Sequence, residues 1–326
     1  LVGEDRNASD VLANLYGGSV QGYYSPARDS IVVVSDAKRP SIDRGTLAHE
    51  LVHALQDQHF GMPPSGKTQD AQLAHDGLVE GDARYVEQLY QQRCSAGWQC
   101  VPNPPGGSGG SSIDMGVFVT VYTPYSEGPT LVDRLRQRGG WAAVNAAYDD
   151  PPASTEQVLH PRRYPGEKPV PVDVPDRSGP SWSRFDVHPQ ADTVGEASLF
   201  ATFWANGVVA HSHLYQHAGP YSAYNYTASV TNGWAGDAVV PYRSADGEYG
   251  YVFRTKWDTT ADAREFTRTY ANALLVKHLD ARQVSANTYV VDSGPFADAF
   301  RVVRDGETVT VVNAPTVEQL DGVYRP

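Results

Sequence analysis

The chain has 326 residues, 40% of them hydrophobic and 20% charged, enough apolar material for a sizeable core in one large domain or two smaller ones. Its formal net charge of −12 leaves no basic cluster to displace counterions from phosphates, which excludes a nucleic-acid partner and disfavours acidic substrates. No apolar run reaches the roughly 18 residues that a membrane-spanning helix needs, and no charged-then-apolar leader opens the chain, so any signal or anchor would lie upstream.

In chain order, Ser9 or Asp10 can start a short helix through Leu15, and VQGYYSP and SIVVVS then form two strands around a turn at Pro26-Ala27-Arg28-Asp29. The edge Gly22-Tyr23-Tyr24 is a candidate for pairing with an extended substrate backbone, because the hairpin directly precedes the most informative stretch of the sequence. That stretch is TLAHELVHALQDQHF, residues 46–60. Ser41 or Asp43 can cap it, Leu47, Leu51, Val52 and Leu55 give it an apolar face, and Gly61 stops it. Within it His49 and His53 stand four apart on one helical face, where two imidazoles can share a metal ion, and Glu50 leans towards the ion's open side.

A second helix follows from a Thr68 cap to about Gln92. It carries Glu80 among apolar residues, where an unpaired carboxylate is costly and a cation nearby removes that cost. Two His and one Glu form a three-ligand zinc set that leaves the fourth position to water. A rival third ligand is His59, at the spacing of the metzincin pattern; that pattern needs glycine where this chain has Gln56, and the helix-stopping glycine comes only at Gly61. Cys94 and Cys100 flank a short loop, a spacing that suits a local disulfide and an oxidising compartment better than a metal site.

AHELVHALQDQHF followed by LVEGDA resembles the gluzincin class of zinc metallopeptidases, and more narrowly a group of largely uncharacterised secreted prokaryotic members. GGWAAVNAAY, PPASTEQVLHPRRY and GWAGD are similar to further segments of that group. The resemblance implies one zinc ion per chain held by His49, His53 and Glu80, a water activated by it, Glu50 as general base, and a peptide or protein substrate. Better-known gluzincins have an Asp four positions after the ligand Glu to support a ligand His. Here that position is Arg84, which leaves Asp76 and Asp82 as substitutes.

Residues 101–112 form a low-complexity loop, followed by an expected strand at 117–122, helices at 130–138 and 141–148, and another starting at Ser154 and ending at His160. His160, then Tyr125 and Tyr164, are candidate donors to the oxyanion. Residues 167–180 are a Pro-rich boundary; beyond it come a helix at 193–205, the histidines His211, His213 and His217, a hairpin around Asp246-Gly247, a helix at 260–278 and three strands. The expected fold is α+β: a helical zincin-like catalytic core with an antiparallel β-hairpin over 1–165, and a C-terminal α+β domain over 166–326 packing on it. The expected activity is that of a secreted or cell-surface zinc endopeptidase. The alternatives are a non-catalytic envelope or binding protein on a degenerate peptidase scaffold, a zinc hydrolase of other substrates, and a metzincin-like protease using His59.

Overall fold

The computed structural model describes residues 2–3, 6–17, 21–35, 38–61, 66–104, 113–216 and 219–326. The N-terminal part consists of α1 (Ala8–Gly17), a hairpin of β1 (Gly22–Ser25) and β2 (Ser30–Val33), α2 (Arg44–Phe60), α3 (Gln69–Ser95), α4 (Met115–Ala147) and α5 (Thr155–Leu159). Then come β3 (Trp182–Arg184), α6 (Gly195–Ala205), β4 (Trp234–Ser244), β5 (Tyr249–Trp257) and α7 (Thr260–Arg268), which continues as wider π-helical turns over Thr269–His278. The chain ends with β6 (Arg282–Ser285), β7 (Thr288–Val290), β8 (Ala299–Asp305), β9 (Thr308–Ala314) and α8 (Leu320–Val323). Strands β3 to β9 make one antiparallel seven-stranded sheet in the order β3-β4-β5-β9-β8-β7-β6, so the fold is of the α+β class.

Local chemistry sets the helix starts. The Asp43 carboxylate accepts the Gly45 and Thr46 N–H groups at the head of α2, Thr68 caps α3 through Ala71, and Asp114 caps α4 through Val117. The last of these overturns the strand expected at 117–122. That run is rich in β-branched residues, but Asp114 starts a helix in front of it. The Thr120 and Thr123 hydroxyls then bond back to the Gly116 and Val119 carbonyls, and Val119 is buried. The two helices expected after it belong to α4 as well, joined across a kink at Gly139 and Gly140, where Gly140 has φ 65°.

Helix α2 also departs from its expected face. Leu51 and Leu55 are 51% and 54% exposed, while His49, Glu50, Val52, His53 and Gln56 point inward. The buried side is thus mainly polar, and it is stable only because each polar group finds a partner there.

Helix α3 packs along α4 at backbone distance. A Cβ on Gly81 would lie 2.5 Å from the Gly128 carbonyl carbon, so only glycine fits at the crossing beside Glu80. Helix α6 joins the helical layer to the sheet. Its Leu199 and Phe203 pack with Trp234, Trp257 and Phe266 on one face of the sheet. Its Phe200 and Trp204 pack with Val119 of α4, Leu159 of α5 and Tyr226. The other face of the sheet is covered by Trp182, α8 and Tyr324.

Several carboxylates are buried around this seam. Glu127 of α4 accepts hydrogen bonds from Ser126 at 2.8 Å and Ser222 at 3.2 Å, yet burial pushes it from 4.5 up to about 7. Burial likewise pushes Asp70 from 3.8 to about 7, against the hydrogen bonds it accepts from Thr155 and with the charges of Asp237 and Glu196 adding to the rise. Both groups hold a proton in the folded chain at a pH where the unfolded chain has lost it. Their contribution to stability is complete below about pH 4 and is lost as pH rises through about 7. Melting temperature is therefore expected to fall between about pH 4.5 and pH 7.5 from these groups, and Glu127→Gln to remove up to about 3 kcal/mol of that loss. Melts whose slope is the same in Glu127→Gln and the unaltered chain would show that Glu127 is ionised in the fold.

Candidate metal centre

The inward face of α2 meets Glu80 of α3. His49 Nε2 and His53 Nε2 lie 3.1 Å apart, and Glu80 Oε2 lies 3.1 Å from the first and 3.2 Å from the second. Both imidazoles are buried and the Glu80 side chain is 20% exposed, so the trio opens on one side. Burial alone would lower His49, but the Glu80 and Glu87 carboxylates outweigh it and raise it to about 9. Burial would likewise raise Glu80, but the two imidazoles hold it down at about 2. The cluster is thus a built place for positive charge, filled by a proton or by a metal ion.

The donor set fits zinc. Two imidazole nitrogens and a carboxylate oxygen are its usual ligands, and tetrahedral bonds of about 2.0–2.1 Å put ligand atoms about 3.3 Å apart, close to the separations found. His53 Nδ1 lies 2.8 Å from Gln56 Oε1, which fixes the tautomer that leaves Nε2 free to bind a metal. The Gln56 amide in turn donates to the Val79 carbonyl at 2.9 Å and to Asp82 at 3.3 Å, and the Tyr148 hydroxyl donates to Asp82 at 2.9 Å. On the other ligand, Glu87 Oε2 lies 3.7 Å from His49 Nδ1, an ion-pair distance rather than a hydrogen bond. Arg84 clamps Glu87 with contacts of 2.6 Å to both oxygens, so the arginine at the usual aspartate position supports the supporter.

Glu50 sits at the open side. Its Oε2 accepts the Tyr24 N–H at 2.7 Å, which ties the carboxylate to β1. The ladder bond from Val34 to the Gln21 carbonyl, together with strand alternation, leaves the backbone groups of Gly22 and Tyr24 facing away from β2, towards α2. Gly22 lines the groove, and the Tyr23 side chain is 44% exposed. Tyr24 differs from its expected role. Its N–H is taken by Glu50, and its buried side chain places the hydroxyl 2.8 Å from Asp57 and 3.0 Å from Asp29, so it positions the strand instead of meeting substrate.

The groove over the trio has a volume of about 800 Å³ and is walled by α1, α3 and α4. Tyr125 lines it, with its ring nearly parallel to that of His49 at 6.1 Å; burial and the nearby Glu80 charge raise its hydroxyl above its ordinary value. His160 is elsewhere. It pairs with Glu196 of α6 at 3.0 Å and does not line the groove, because the turn after α5 points its ring into the seam between helices and sheet. Tyr164 donates to the Asp150 carbonyl at 2.6 Å and is likewise outside the groove. His59 is exposed near the end of α2 and takes no part in the trio, because α2 runs on without a break through Phe60.

Cys94 and Cys100 are joined in a disulfide with Cα atoms 5.6 Å apart. The Arg44 N–H bonds to Asn103, so the segment after this staple is tied to the start of α2. His213 bonds to the Thr227 carbonyl at 2.7 Å and is structural; His217 and residues 105–112 lie outside the described residues. A second acidic group, Glu156, Glu167 and Asp258, surrounds the Arg163 guanidinium, which already supplies its counter-charge.

Residues 183–324 match a domain of unknown function, DUF8575, which covers the sheet and its helices and leaves out the trio. No curated protein and no solved structure matches the chain. Among the described residues no helix is long and apolar enough to cross a membrane.

The sequence does not single out Gln56 and Glu87, although both were reachable from spacing: Gln56 is three positions after His53, and Glu87 is two helical turns after Glu80. Gln56→Leu removes the acceptor of His53 Nδ1 at similar volume. It is expected to weaken zinc affinity about 10- to 100-fold in competition with a chromophoric chelator. Unchanged affinity would show that Gln56 does not orient the ligand.

Proposed function

We propose that the chain is a zinc metallopeptidase, an endopeptidase acting outside the cytosol, with His49, His53 and Glu80 holding one zinc ion. The observation that carries this is the convergence of two imidazoles and a carboxylate, with His53 held from behind by Gln56 and His49 faced by Glu87, beside a glutamate that belongs to no closed structural site. A structural zinc site closes its fourth position and needs no base; this one opens onto a groove. The zinc supplies Lewis acidity there, acidifying water and polarising carbonyl oxygens.

The chain's own groups do the rest. Glu50 takes the proton of the water whose oxygen attacks the scissile carbonyl carbon, then delivers it to the amine nitrogen as the C–N bond breaks. Its tie to Tyr24 keeps the carboxylate on the groove side while it waits. Tyr125, which lines the groove beside His49, takes the part first assigned to His160, offering its hydroxyl to the developing oxyanion. The backbone groups of Gly22 face a substrate strand, which needs no chain terminus and so suits internal bonds. The disulfide supports an oxidising, extracellular setting.

Metal analysis of protein purified without added zinc should find about one zinc per chain, lost in Glu80→Ala and kept in His59→Ala. Glu50→Gln is expected to keep the metal and lose roughly 10²-fold or more of its turnover of a denatured protein substrate. Zinc that survives Glu80→Ala, or hydrolysis that survives Glu50→Gln, would overturn the assignment.

A further inference from the structure

The groove carries one carboxylate that the proposed chemistry does not use. Asp76 stands four residues before Glu80 on α3, so it projects from the same helical face about 6 Å along from the metal ligand. Its side chain is 35% exposed, and its one recorded ion-pair partner is His75, at 3.4 Å. Among the described residues lining the groove, Arg84 is the single guanidinium or ammonium, and both of its contacts are made to Glu87. Apart from the His75 imidazole, none of the described residues lining the groove has a cationic side chain left to pair with Asp76, which borders a space large enough for a side chain.

What surrounds Asp76 is aromatic and apolar. Tyr16 of α1 and Tyr125 of α4 line the same groove as Asp76. Leu12, Leu73 and Tyr122 complete that wall. A carboxylate in a groove lined by aromatic and aliphatic side chains is the chemistry that holds a long cationic side chain: the alkyl stem packs on the wall, an aromatic ring attracts the cation, and the carboxylate pairs with it.

We infer that Asp76, with Tyr16 and Tyr125, forms a subsite for an organic cation of the peptide substrate, an ammonium or guanidinium carried beside the scissile bond. The inference rests on the peptidase assignment and names the kind of substrate it acts on. A lysine or arginine side chain and a free N-terminal ammonium share this chemistry. The experiment separates them.

Two acetylated, amidated peptides differing only in lysine or norleucine at the central position, and the same pair with free N-termini, would be titrated calorimetrically into the zinc-loaded Glu50→Gln protein. The acetylated lysine peptide is expected to bind roughly 10-fold tighter than its norleucine twin, the combined effect of a half-exposed ion pair and a cation–π contact. That ratio should collapse towards one when Asp76→Asn is added. Asp76→Lys should invert it, favouring a glutamate-bearing peptide, which a merely misfolded variant cannot do. In the Glu50-intact protein the kcat/KM ratio of the two peptides should follow the same order. A preference that appears only with free N-termini assigns the cation to the substrate's terminus. Equal affinity for lysine and norleucine peptides in both pairs, a preference that survives Asp76→Asn, or no binding of any of them overturns the inference. Cation-dependent binding without hydrolysis by the Glu50-intact protein sinks the peptidase assignment instead and leaves the subsite standing.

Discussion

Two imidazole nitrogens and a carboxylate oxygen held within 3.2 Å of one another in a largely buried place call for positive charge, and most of the N-terminal architecture follows from that demand. Glu80 and Glu87 both face imidazoles, and Arg84 neutralises the second carboxylate from behind. Each group that would be expensive alone is made tolerable by the next. The array is a nested set of counter-charges with one position open to the groove.

The packing that permits this is unusual for a helix. Helix α2 turns its polar residues inward and leaves Leu51 and Leu55 in solvent, the reverse of ordinary amphipathic burial. Helix α3 can then approach α4 because Gly81 and Gly128 carry no side chains where the two cross, and Gly77 leaves room for Val158 of α5. A close crossing beside Glu80 fixes the height of that carboxylate relative to the histidines. Rigidity at that point keeps three donors converging with no covalent link between the helices.

The sheet contributes differently. Helix α6 shares its apolar residues between the helical layer and the sheet, and buried Asp70, Glu196 and Asp237 gather around its N-terminal end. Asp237 accepts the N–H groups of Val194 and Gly195 there, and burial still pushes it up to about 6. His160 belongs to this seam through Glu196, which explains why a histidine that follows a short helix is structural here. The seam joins the part that carries the trio to the part that matches DUF8575.

The sequence by itself determined the helices around the trio and the residue types that form it. Four-residue spacing puts His49 and His53 on one face of any helix, Asp43 and Thr68 mark where the two helices begin, and an uncompensated glutamate on the second helix asks for a cation. Strand periodicity likewise marks the hairpin and the C-terminal strands. Tertiary structure alone decided the partners. Gln56 and Glu87 meet His53 and His49 because α3 lies against α2 at one particular depth, and Tyr125 lines the groove while His160 does not because α4 is helical where β-branched residues favour a strand. Leu51 and Leu55 ended outside for the same reason: local pattern fixes which residues share a face, while the direction in which that face points depends on contacts between segments far apart in sequence.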